Sequence, residues 1–182
     1  MNDKKLTTIS KFLSFVLRHQ PQEIGIAPDS AGWVEIADLL EKAALAGRAL
    51  TRAQLDEVVA TNDKKRFAVS EDGLRIRASQ GHSIAVDLEL PPRDPPAVLY
   101  HGTASRWIAS ILASGLERRA RHHVHLSEST ATAIAVGTRY GVPVLLRVDA
   151  RAMAADGHVF RCSDNGVWLV DEVPRKYLEV VK

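Results

Sequence analysis

Apolar residues near the start of the chain recur at helical spacing. Ile9, Phe12, Leu13 and Val16 fall at i, i+3, i+4 and i+7, which predicts a helix entered through a cap at Thr7 or Thr8. It must stop near Gln20, because Pro21 follows. A second helix is predicted from about Val34 to Leu45, ending before Gly47, and a third from an N-cap at Thr51 to about Thr61. The pattern then becomes strand-like. Arg66 to Ser70, a turn at Glu71-Asp72-Gly73, and Leu74 to Arg77 read as a β-hairpin. Three helices and a two-stranded wing predict a winged-helix module, a helix-turn-helix relative.

Pro91-Pro92-Arg93-Asp94-Pro95-Pro96 breaks the chain, since four prolines in six residues continue neither a helix nor a central strand. We therefore expect a lobe over 1–90, a Pro-rich linker over 91–97 and a second lobe over 98–182. The second lobe alternates. Strands are predicted at Val98–Tyr100, His123–Leu126 and Val144–Val148, with helices at Ser105–Ser114 and Glu128–Arg139 between them. Short strands follow at Val159–Phe160, Val167–Val170 and Tyr177–Val181. The fold class is α+β. Neither a dinucleotide glycine fingerprint nor a P-loop is present.

Over 182 residues, 46% hydrophobic and 25% charged, there is enough apolar material for a core, which excludes disorder as the main state. No apolar run approaches a bilayer span. The start lacks a clean apolar leader core, so a cytoplasmic protein is expected. One cysteine, Cys162, excludes an internal disulfide and a cysteine-based zinc site. Net charge is only +2, but its distribution is uneven: beyond residue 95 nine arginines stand against two lysines. Arginine suits two-pronged binding of phosphate or carboxylate.

Several segments carry candidate chemistry. Arg18-His19 ends the first helix, where both side chains either complement the helix dipole or reach one target. Arg66 follows Lys64 and Lys65 at the start of the wing, as a solvated basic turn or a phosphate contact. Three arginines and three histidines lie between Arg118 and His125. On a strand His123 and His125 share a face, and with no carboxylate expected beside it, anion binding is preferred to metal binding. His101-Gly102-Thr103 is read as a strand-to-helix turn open to a ligand, and Asn165-Gly166 as a type I′ hairpin turn.

Seven segments, in order, resemble the NAD-dependent RNA 2′-phosphotransferases: Phe12 to His19, Asn62 to Phe67, Gln80 to Ser83, Leu99 to Thr103, Arg121 to Ser127, Val136 to Arg139 and Asn165 to Leu169. The resemblance runs from residue 9 to about 178. It implies a winged-helix lobe joined to an ADP-ribosyltransferase-like lobe. It implies a catalytic set at Arg18, His19, Arg66 and Arg121. It implies an NAD site around His101, Gly102, Thr103, His125, Leu126, Ser127, Gly137, Gly166 and Val167, with NAD as co-substrate and no metal. Residues His122, Arg161 and Arg175 stand where the family more often has glutamine, tyrosine and proline.

The implied reaction passes an internal RNA 2′-phosphate to NAD in two steps through an ADP-ribosylated phosphate, in a monomer that binds RNA. The alternative on the same scaffold is an ADP-ribosyltransferase that caps terminal phosphates of RNA or DNA. A non-enzymatic regulator fits less well, because the helix after Thr51 carries Arg52 against Asp56 and Glu57 rather than a basic reading face.

Overall fold

In the computed structural model, which describes residues 2–62 and 64–181, helix α1 (Asp3–Arg18) begins earlier than its apolar spacing predicts. Asn2 caps it, its side chain accepting the Lys5 N–H at 2.9 Å. Thr8 is instead inside the helix and donates its hydroxyl to the Lys4 carbonyl. Leu13, Val16 and Leu17 are wholly buried, and the helix gives way at His19 as predicted, ahead of Pro21.

Val34 and Glu35 do not open the second helix. They form strand β1, with Val34 opposite Ile76, and helix α2 (Ile36–Leu45) starts behind them. Burial of Val34 against Ile76 outweighs the helical continuation. Helix α3 (Arg52–Thr61) carries a reciprocal capping box between Thr51 and Gln54. The hairpin forms as predicted from β2 (Phe67–Val69) and β3 (Arg75–Ala78), and the three strands order as β1-β3-β2. Together with α1–α3 they enclose one apolar core.

Chain contacts divide the molecule into Met1–Glu89 and Leu90–Lys182. The proline segment lies in the second unit, where the Arg93 N–H donates to the Phe160 carbonyl and Pro92 bridges Arg161. The spine of that unit is β4 (Val98–Ala104), antiparallel along its whole length to β7 (Pro143–Asp149), with β11 (Leu178–Val180) on the other edge of β7. A second sheet orders β6 (Val124–Leu126), β9 (Trp168–Val170) and β8 (Arg161–Cys162) as β6-β9-β8. Reciprocal backbone bonds between Tyr100 and Ser127 join β4 to the end of β6.

Helix α4 (Ile108–Ser114) follows one 3-10 turn, and helix α5 (Thr130–Thr138) is capped by Ser129. Helix α6 (Ala150–Ala155) and the two-residue pair β5 (Leu116–Glu117) and β10 (Glu172–Val173) were not predicted. The described residues thus hold six α-helices and several small antiparallel sheets, a mixed α/β fold. No helix among them is long and apolar enough to cross a membrane.

The Asn165-Gly166 turn is not type I′. The Gly166 N–H donates to Ser163 and the Ser163 N–H to Val167, with Gly166 at φ +76° and Asn165 outside the positive-φ region. This is a three-residue loop with glycine in the left-handed position, because type I′ requires positive φ at both central residues.

Candidate active site: two arginine-histidine clusters

In the first unit the chain brings Arg18, His19 and Arg66 together. Arg66 directly precedes Phe67, whose ring is buried in the core, so the alternation of β2 turns the arginine away from that core. Its Nη1 donates to Asn62 Oδ1 at 3.3 Å, and Asn62 Nδ2 donates to Ser10 Oγ of α1 at 3.1 Å. Arg18 Nη2 donates to the Arg66 carbonyl at 3.3 Å, so the two arginines are tied through the backbone. Asp63, inside this motif, lies outside the described residues.

The segment Ser79–Ser83 closes over both. The Ser79 N–H donates to the Arg66 carbonyl and the Ser79 hydroxyl to the Lys65 carbonyl, each at 2.8 Å. Gly81 passes the Arg18 guanidinium at φ +86°. The Ser83 N–H donates to the Arg18 carbonyl at 2.9 Å, and Ser83 Oγ lies 2.9 Å from His19 Nδ1. The resemblance covers Gln80 to Ser83 but implies no role for Ser83, and Ser79 lies just outside it. The available signal was two hydroxyls flanking a glycine in a stretch without helical or strand periodicity.

In the second unit Arg121 stands in a turn closed by its own N–H on the Arg118 carbonyl, directly ahead of β6. Burial of Val124 and Leu126 turns His125 to the opposite face, where Arg121 Nη1 meets His125 Nδ1 at 2.9 Å. A guanidinium only donates, so His125 Nδ1 accepts and the ring proton resides on Nε2. His101 Nδ1 lies 3.0 Å from the His125 carbonyl, which only accepts. His101 therefore carries its proton on Nδ1 and offers a lone pair at Nε2. Burial, and secondarily the Arg121 cation, hold the His101 pKa below its ordinary value, against the pull of the His125 carbonyl.

These side chains border a cleft of about 350 Å³, within the size range of small-molecule pockets. His101, Thr103, Ile111, Arg121, His125 and Tyr140 are among its lining residues.

The remaining candidates lie differently. His101-Gly102-Thr103 is inside β4, not at a strand-to-helix turn, and a Cβ on Gly102 would meet the Ala133 carbonyl oxygen of α5 at 1.6 Å. Gly137 is the matching close approach from α5, 2.7 Å from the Thr103 carbonyl oxygen by the same measure. Leu126 is in the core, and Ser127 makes the backbone pair with Tyr100 while its Oγ accepts the Ser129 N–H. Gly166 and Val167 lie in the β8–β9 loop. None of Leu126, Ser127, Gly137, Gly166 and Val167 is among the cleft-lining residues.

His123 differs from its reading in one respect. A carboxylate does lie beside it: Asp171 Oδ1 is 3.7 Å from Nε2. Burial nevertheless leaves the His123 pKa below the ordinary value. Among the described residues no three His, Cys, Asp or Glu side chains are grouped to hold a metal ion.

A sequence model of the family described as "RNA 2'-phosphotransferase, Tpt1 / KptA family" matches residues 4–172. Proteins named "Probable RNA 2'-phosphotransferase" match along almost the whole chain. That of Rhodopirellula baltica is 56% identical over 177 residues, covering 97% of this chain and 96% of its own. That of Streptomyces coelicolor is 57% identical over 178 residues, covering 98% and 97%. One from Pseudomonas aeruginosa is 57% identical over 179 residues, covering 98% of each.

Proposed function

Because the chain belongs to the RNA 2′-phosphotransferase, Tpt1 / KptA family, we propose that it removes an internal 2′-phosphate from RNA and passes it to NAD. The observation that carries this reading is the pairing of Arg18 with Arg66 through one carbonyl, with His19 one residue away. Such a cluster offers forked donors and a titratable ring, which suits a polyanion whose nucleophile is already ionised. We read the first unit as a winged-helix lobe and the second as an ADP-ribosyltransferase-like lobe. The three helices with a three-stranded sheet support the first reading, and the small antiparallel sheets flanking the cleft support the second.

NAD fits the residues of the cleft. His101 Nε2 is an acceptor suited to a ribose hydroxyl, and the volume accommodates a nucleoside-sized part of the dinucleotide. In the first step an oxygen of the RNA 2′-phosphate bonds to C1″ of the nicotinamide ribose, and the C1″–N bond breaks to release neutral nicotinamide. Attack opposite the leaving group sets the phosphate on the same face as O2″. In the second step O2″ loses its proton and bonds to phosphorus, while the bond to the RNA 2′-oxygen breaks and that oxygen takes up a proton. The products are RNA with a 2′-hydroxyl and ADP-ribose 1″,2″-cyclic phosphate.

Arg18, Arg66 and Arg121 hold phosphate oxygens and neutralise charge developing on phosphorus. His19 handles the proton of the second step. Incubation with NAD and an RNA bearing one internal 2′-phosphate tests the reading: nicotinamide, dephosphorylated RNA and the cyclic phosphate are expected together. Stable ADP-ribosylation of a second RNA that carries only a terminal phosphate supports the terminal-capping alternative, and intact NAD with either RNA overturns both.

A further inference from the structure

The Ser83 hydroxyl sits between a carbonyl oxygen and an imidazole nitrogen, and the direction of its one proton decides where the His19 proton lies. Its Oγ is 2.9 Å from His19 Nδ1 and 3.5 Å from the Arg18 carbonyl oxygen. A hydroxyl has one proton to donate, and a carbonyl can only accept. When that proton points at the Arg18 carbonyl, the oxygen lone pairs face the imidazole, and His19 Nδ1 must be the donor. The Ser83 N–H reaches the same carbonyl at 2.9 Å, which holds the serine at the helix end whatever its side chain does.

We propose that Ser83 is a positioning residue that fixes His19 in the Nδ1–H tautomer, so that Nε2 is the nitrogen that takes and releases the proton of the reaction. The inference rests on the reading of His19 as the proton-handling group. In an imidazole the contact made by one nitrogen decides which form the other takes. A free neutral imidazole in water favours the proton on Nε2, so the preference has to be imposed by a neighbour, and Ser83 Oγ is the atom placed to impose it.

Ser79, four residues earlier, holds the backbone of Lys65 and Arg66, and Ser83 holds that of Arg18. One short segment thus sets the backbone of both arginines and the proton position of the histidine. Ser83 is exposed and its backbone bond does not need the side chain, so Ser83→Ala removes the hydroxyl while leaving the fold in place.

The test is long-range ¹H–¹⁵N spectroscopy of the imidazoles, with His19 assigned by its disappearance in His19→Gln. In the wild type, above the titration of the ring, the His19 proton is expected on Nδ1. In Ser83→Ala it should move to Nε2, and Ser83→Thr should restore Nδ1. Single-turnover rates should fall about tenfold in Ser83→Ala with RNA half-saturation unchanged, as for partial loss of acid–base assistance. An Nε2–H ring in the wild type, an unchanged tautomer in Ser83→Ala, or an undiminished rate in that variant overturns the proposal. The spectra need no substrate, so they decide the tautomer even if the reaction itself proves to be another.

Discussion

Gly102 and Ala133 are locked backbone to backbone: a Cβ built on Gly102 would stand 1.6 Å from the Ala133 carbonyl oxygen. The glycine in the middle of β4 is therefore a packing requirement, allowing α5 to lie against the strand that also carries His101 and Thr103. Gly137 makes the reciprocal approach from the helix.

Gly102→Ala should destabilise the second unit by about 3 kcal/mol or more, at the upper end of overpacking effects, because a backbone atom and not a side chain must yield. Gly157→Ala is the comparison. Its φ of +92° is strained for alanine but nothing lies within 4 Å of the new Cβ, so about 1 kcal/mol is expected. Urea unfolding measures both, and equal costs would refute the packing argument.

Stability of the second unit should rise with pH just below 6.5. His101 and His123 both have folded pKa values below the ordinary 6.5. Between those values and 6.5 the unfolded chain binds protons that the folded chain does not, so stability falls as pH falls through this window and is complete above it. Asp156 and Asp72, lowered from 3.8, act in a separate and more acidic range. Thermal unfolding from pH 5 to 7 should show the slope, and His101→Gln should flatten it.

Arg121→Ala should cost far more activity than Arg118→Ala or Arg119→Ala. Arg121 is the member of the three that contacts His125, and its loss also frees that ring from its present tautomer. Removing one partner of a charge pair desolvated by the bound substrate costs about 2–5 kcal/mol, whereas a solvated arginine contributes little. Turnover of NAD in the three variants checks this, and comparable losses would show that Arg121 has no special role.

Cys162→Ser should keep nearly full activity. Burial raises the Cys162 pKa, which keeps the thiol protonated near neutrality and disfavours it as a nucleophile. Inactivation of a folded Cys162→Ser protein would show that the thiol takes part.

Weakened variants at His19 or Arg66 should fail in the second step before the first. In the proposed reaction nicotinamide leaves as a neutral molecule, so alignment supplies much of the first step. The second step of the proposed reaction expels a ribose oxygen from an anionic phosphodiester and needs both cationic charge and a proton. Gel or mass analysis of labelled RNA in a first turnover should reveal ADP-ribosylated RNA accumulating in those variants and scarcely in the wild type. Finding only substrate and final product would count against this division.

The sequence determined the local pieces because their causes are local. Pro21 ends α1 at His19, Thr51 and Gln54 cap α3 through groups three residues apart, and Asp72-Gly73 turns the β2–β3 hairpin. It also determined which side chains are worth watching, since forked arginines beside histidines suit phosphate whatever surrounds them. Tertiary structure decided what depends on atoms distant in the chain. Val34 became a strand only because Ile76 lies opposite, and His101-Gly102-Thr103 became mid-strand only because β7 pairs with all of β4. Ser83 gained its place beside His19 across 64 residues of sequence, and the proton positions of His101 and His125 follow from a carbonyl and a guanidinium that no periodicity encodes. A hydrogen bond is short-ranged and directional, so which nitrogen carries a proton is settled by the last few tenths of an ångström of packing, and only the folded chain supplies those.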